Sequence, residues 1–117
     1  MQVTRLGEAR RYDAPNHFDM RSLRLQGMEV SDADFAWVGL SHFLPGGGAS
    51  MDAGPTGKIY VVLAGRVTIE LDDCTVNILE RLDSCFIPAG ESRAIRNEEN
   101  EVATMLVIMP QPPRSVA

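Results

Sequence analysis

Short runs rich in apolar and β-branched residues, separated by polar turn residues, make up most of this chain, and no helical spacing is sustained over three turns. From residue 33 onward these runs predict strands over 33–44, 58–63, 66–71, 74–80, 85–87, 91–96 and 102–109. Turn-forming residues divide them: Ala64-Gly65, Asp72-Asp73, Leu82-Asp83-Ser84, Pro88-Ala89-Gly90 and the polar run from Asn97 to Asn100. Pro45, Gly46, Gly47 and Gly48 are expected to break pairing and open a flexible loop. Within 66–71, Val67, Ile69 and Leu71 share one face while Arg66, Thr68 and Glu70 share the other, so this strand has one wet side. Short strands at such spacing predict an all-β sandwich or barrel with little or no helix.

The 117 residues fit one domain of ordinary size. Residues 1–24 stand apart, with five arginines against three acids, a net of +2, whereas 25–117 carry six bases and 13 acids, a net of −7. We expect an N-terminal arm or edge strand over 1–24 and a single barrel domain over 25–117. The arm either closes its own barrel or lies across a second copy. Ile59, Val61 and Leu63 would otherwise face water on the outward side of their strand, which makes a homodimer the expected state. Eleven bases against 16 acids, with no basic stripe, argue against nucleic acid as a partner. The start of the chain has no apolar core of signal-peptide length, and the longest apolar run, 105–110, is far shorter than a membrane span. A cytoplasmic protein without a membrane partner is expected. Cys74 and Cys85 lack CxxC spacing and are expected as free thiols.

Two stretches in series narrow the fold. In the first, Tyr60-Val61-Val62-Leu63-Ala64 leads to a closing glycine, Gly65, and Gly47 stands near Pro45-Gly46 as an opening one. In the second, 83–97, Pro88, Gly90 and Asn97 hold fixed places, and Leu82 precedes them where a glycine is common. Together, over about half the chain, these resemble the two motifs of the cupin superfamily, and the resemblance implies a jelly-roll barrel, the double-stranded β-helix. It also identifies the positions of the family's usual metal ligands, and each is replaced. The glutamate position falls on Lys58, the two histidine positions on Met51 and Ala53 (or Asp52 and Gly54 at the shorter spacing), and the second-motif histidine on Arg93. A protonated lysine or arginine offers no lone pair and repels a cation. The resemblance therefore implies fold and pocket, with no metal at the usual site and no cofactor.

The same alignment directs Lys58, Tyr60 and Val62 from one strand, and Arg93 and Ile95 from another, into the barrel. Lys58 is the only lysine of the chain. Burying two unpaired cations costs several kcal/mol each, in order of magnitude, so either an anionic ligand or an internal acid, Asp52 or Glu101, should answer them. Arg93 suits a bidentate grip on a carboxylate, and Lys58 suits a movable charge or proton donor. A lysine beside an arginine in a dry pocket loses its proton more easily, which opens acid/base or Schiff-base chemistry of the isomerase, lyase or decarboxylase kind. Lys58 and Arg93 are thus the catalytic candidates, and a small anionic organic molecule is the expected ligand. Tyr60, His42, Met51, Ala53 and Met105 are the candidate contacts to it, His42 sharing a strand face with Val38, Leu40 and Leu44. His17 of the arm reads first as a solvated turn residue, with a cap over the pocket or a contact to a second copy as the alternatives, and Cys85 as a packed, unreactive thiol. Two rival functions stand beside this one: a non-catalytic sensor or accessory protein, and a metal-dependent cupin enzyme with an atypical ligand set such as Asp52 and His42.

Overall fold

The computed structural model describes residues 1–112, so the last five residues of the expected barrel domain, 113–117, lie outside the described residues. Nine strands form among the described residues: β1 Arg10–Tyr12, β2 His17–Gln26, β3 Ala36–Asp52, β4 Lys58–Ala64, β5 Val67–Leu71, β6 Val76–Leu79, β7 Ser84–Ile87, β8 Arg93–Arg96 and β9 Ala103–Pro110. One 3-10 turn, Leu6–Glu8, precedes them and is the only helical element among the described residues. The all-β architecture read from the short apolar runs is the one the chain adopts. All pairings are antiparallel, in the order β6-β5-β8-β3-β9-β4-β7, with β2 also paired to β3 and β1 to β2.

β3 explains how one sheet becomes a nearly closed barrel. Its first part, from Ala36 to Phe43, pairs with β9, and its last part, from Gly48 to Asp52, pairs with β8. A strand that passes from one sheet to another in this way makes a corner. The expected break at Pro45 to Gly48 is therefore corrected: the strand bends there and continues. Gly48 is paired with Phe18 on one side and Arg96 on the other. A Cβ on Gly48 would collide with the carbonyl oxygen of Ile95, and one on Gly47 with that of Asp19. The glycines thus admit neighbouring backbone instead of interrupting the strand. Asn97, 1% exposed, locks the corner from inside. Its Nδ2 donates to the carbonyls of Phe43 (3.0 Å) and Glu101 (2.8 Å), and its Oδ1 accepts the N–H of Glu99 at 3.0 Å.

The core lies between the two halves and is built from inward positions of each strand, among them Phe43, Val62, Val67, Ile95 and Met105. Alternation along β4 puts Lys58, Tyr60 and Val62 inside and leaves Ile59 41% exposed. On the outer face, Ile59 and Val61 continue a band with Ile108 and Leu106 of β9 and Val38 and Leu40 of β3. Leu82 has a φ of 70°, the left-handed region, at the position where the family resemblance anticipates glycine. In the N-terminal segment β1 pairs with β2 and β2 with β3 of the same chain, as an edge strand closing its own barrel would, and β2 runs on past residue 24 to Gln26. No helix among the described residues is long and apolar enough to cross a membrane.

Candidate functional site

One end of the barrel opens into a cavity of about 390 Å³. Ile95, Met105, Val107 and Met109 give it an apolar lining, to which Lys58, Tyr60 and Arg93 add polar groups. Lys58 and Arg93 are each 7% exposed and Tyr60 is 2% exposed, so the two cations and the phenol are held out of bulk water. Pairing explains the convergence: Tyr60 stands opposite Val107 on β9, while Arg93 stands opposite Asp52 and Leu71 on the facing half of the barrel.

The Arg93 Nε donates to the Tyr60 hydroxyl at 2.8 Å, and Nη1 reaches the Ser50 carbonyl at 3.4 Å. Burial raises the Tyr60 pKa, an effect the adjacent Arg93 charge opposes. Tyr60 thus accepts from Arg93 and keeps its own proton to donate to a ligand. Lys58 has no hydrogen bond or ion pair among the described residues. Its ammonium lies against the Gly54 backbone, 3.0 Å from where a Cβ would stand. Burial lowers the Lys58 pKa, Arg93 lowers it further, and Asp52 acts the other way.

The acids anticipated as internal partners do not pair with these cations. Asp52 lines the cavity, but its carboxylate accepts from Asn16 Nδ2 at 3.1 Å and from the Ala53 N–H at 2.9 Å. Glu101 lies on a different surface, beside Gly65 and Arg66. Arg24, Lys58, Arg93, Asp13 and Asp52 are the charged side chains lining the cavity, and of the three cations only Arg24 has a carboxylate in ion-pair contact, Glu29 at 3.6 Å.

Among the candidate contacts, Tyr60, Ala53 and Met105 line the cavity together with Lys58 and Arg93. His42 and Met51 do not, and their expected placement is corrected. Ser41 and Phe43 point inward on β3, so His42 between them points outward, where its Nδ1 meets the Thr104 hydroxyl at 3.1 Å. This also separates His42 from Asp52, the pair named as an atypical metal set. Met51 is 41% exposed, and a register shift between Ala49 and Asp52 turns Asp52 toward the cavity in its stead.

Sequence reasoning missed the contribution of the N-terminal strands. Tyr12, Asp13, Ala14, Pro15 and His17 close one side of the cavity, and Arg24, Trp37 and Ser41 line it further. His17 is no solvated turn residue: its ring stacks toward Phe43 with centroids 6.5 Å apart. Its Nδ1–H donates to the Pro15 carbonyl at 2.7 Å, which leaves Nε2 with the free lone pair. Burial lowers the His17 pKa, and Arg93 and Lys58 lower it further, against the Pro15 hydrogen bond and Asp52. The Tyr12 hydroxyl is seated over Gly39, where a Cβ would collide with it. Nothing in the local pattern of residues 10–12 announces that contact.

The donor set does not fit the divalent ion for which the family's usual ligands are built. Lysine and arginine stand at two of those positions, and no three His, Cys, Asp or Glu side chains converge among the described residues.

Comparison with known proteins agrees with the architecture. The chain is 38% identical over 117 residues, the whole of both proteins, to a Mycobacterium tuberculosis protein named a β-D-galactosidase. The structure is similar to the polyketide cyclase RemF of Streptomyces resistomycificus, with a TM-score of 0.84 and 20% identity, covering 100% of this chain and 86% of that one. It is also similar to a predicted oxalate decarboxylase of Thermotoga maritima, with a TM-score of 0.77 and 20% identity over 95% and 99% of the two chains. At such identities the solved structures speak for the fold. The cupin domain family model matches residues 39–109. With both motifs in place on a nearly closed antiparallel barrel, the chain belongs to the cupin superfamily.

Proposed function

We propose that the cavity binds a small organic anion through Lys58 and Arg93 and moves a proton on it without a metal ion. The observation that carries this reading is the pair of buried cations facing one cavity with no carboxylate in ion-pair contact among the described residues. A carboxylate ligand supplies the missing charge: Arg93, oriented by Tyr60, offers its outer N–H groups, and Lys58 offers a mobile ammonium. His17 supplies the base. Its imidazole is held by Pro15 with Nε2 unprotonated, and a carbon acid seated against the two cations would lose its proton to that nitrogen while Lys58 neutralises the enolate that forms.

The test is a thermal-shift panel on protein purified without chelator, with pyruvate, benzoate, zinc, manganese and a β-galactoside in parallel, since a ligand of the folded state raises the midpoint by mass action. A carboxylate should raise it, and the shift should vanish in Arg93→Met. Strong stabilisation by a metal, with none by carboxylates, overturns the reading.

A second reading, hydrolysis of a β-galactoside, is favoured by the full-length relative bearing that name. Glycosidases generally act with two carboxyl groups flanking the scissile bond. Asp13 and Asp52 are the acids lining the cavity. Hydrolysis of p-nitrophenyl β-galactoside that disappears in Asp52→Asn would place this reading first.

A further inference from the structure

Arg24 is a third cation at the cavity, and neither motif accounts for it. It is 8% exposed, and its guanidinium carbon lies 3.9 Å from the ring centroid of Tyr12 and 4.5 Å from that of Trp37. The Nε atom is buried and has no hydrogen-bond partner among the described residues. It is in ion-pair contact with Glu29 Oε1 at 3.6 Å, too long for a hydrogen bond, and that carboxylate side chain is 40% exposed. Stacking occupies the faces of a guanidinium and leaves its in-plane donors for a planar acceptor.

Register places this group well away from the first two cations. Arg24 pairs with Gly39, Gly39 with Val107, and Val107 with Tyr60, the partner of Arg93. Three strand spacings separate the ends, about 14 Å measured along the sheet and less across the curved barrel. Val107 and Met109 give the cavity an apolar lining between them.

We propose that the ligand is an elongated organic dianion with an apolar or aromatic middle, and that Arg24 takes the acidic group remote from Lys58 and Arg93. This rests on the reading of the cavity as an anion site and adds the class of molecule it accepts.

Calorimetric titration tests it with terephthalate against benzoate and with biphenyl dicarboxylate against biphenyl monocarboxylate. At least one diacid should bind about tenfold or more tightly than its monoacid, as one added charge-assisted contact predicts. Arg24→Gln should bring that ratio to about one with monoacid affinity unchanged, whereas Arg93→Met should weaken both. The monomethyl ester of the same diacid repeats the comparison in the unmodified protein, should the Arg24 variant fail to fold. Equal affinities for every diacid and monoacid, or a ratio that survives Arg24→Gln, overturn the role of Arg24 and leave the anion site standing. If no acid binds, the anion site itself falls, and this inference with it.

Discussion

Replacing Lys58 by methionine should stabilise the protein while weakening its hold on anions. The ammonium is 7% exposed, has no ion pair among the described residues, and shares its cavity with Arg93. Desolvating an ion inside a protein costs several kcal/mol in order of magnitude, part of which the open side of the cavity and Asp52 offset. Methionine replaces the alkyl stem at nearly the same volume, a change costing less than about 1.5 kcal/mol. The net gain should be about 1–2 kcal/mol, which raises the melting midpoint by about 5 °C per kcal/mol. The effect also has a pH signature. The folded pKa of Lys58 is lowered from 10.5, so the unfolded chain binds this proton more readily. The penalty is in full force below the folded pKa and fades as pH rises from there toward 10.5, so the advantage of Lys58→Met should shrink in that window. Urea denaturation of both proteins at neutral pH and near pH 10 measures it. A variant less stable than the parent by more than about 1 kcal/mol, or a gap that ignores pH, would show that the ammonium has a structural partner and refute the reasoning.

Asn97→Ala should destabilise by about 2–4 kcal/mol, because it leaves the Phe43 and Glu101 carbonyls and the Glu99 N–H without their partner; denaturant titration reads this, and a loss under about 1 kcal/mol contradicts the corner-locking role. His17 has a folded pKa lowered from 6.5, so its share of stability is complete above about pH 6.5 and is lost as pH falls through the folded value. His17→Gln should flatten that part of the stability profile, and an unchanged profile would mean the ring is not buried as described. The outer band containing Ile59 is the face the expected homodimer would use. Sedimentation should give twice the chain mass for the parent and one chain mass for Ile59→Glu, whereas a monomeric parent rejects the dimer.

Much of this molecule is legible in its sequence. Apolar runs bounded by turn residues identify the strands, and the two-residue period of a strand groups Lys58, Tyr60 and Val62 on one side of β4. The two motifs then align Lys58 with Arg93, although 35 residues separate them, because both stand at positions the family directs into the barrel. Alternation does not say which face is inner when both carry apolar groups. In β3 the even face, with Val38, Leu40 and Leu44, reads as the more aliphatic, yet Trp37, Ser41 and Phe43 point inward, because the inside here is a cavity with polar as well as apolar lining. That inversion carries His42 to the outer side. The glycine corner defies a local reading for a related reason: composition reveals that side chains are missing at Gly47 and Gly48, but only packed backbone reveals that their absence admits Asp19 and Ile95. Tyr12, His17 and Arg24 reach the site through the pairing of β1 with β2 and of β2 with β3. Local sequence sets the conformation of each strand, while the closure of the cavity depends on contacts between segments far apart in the chain, and those exist only once the barrel has rolled up.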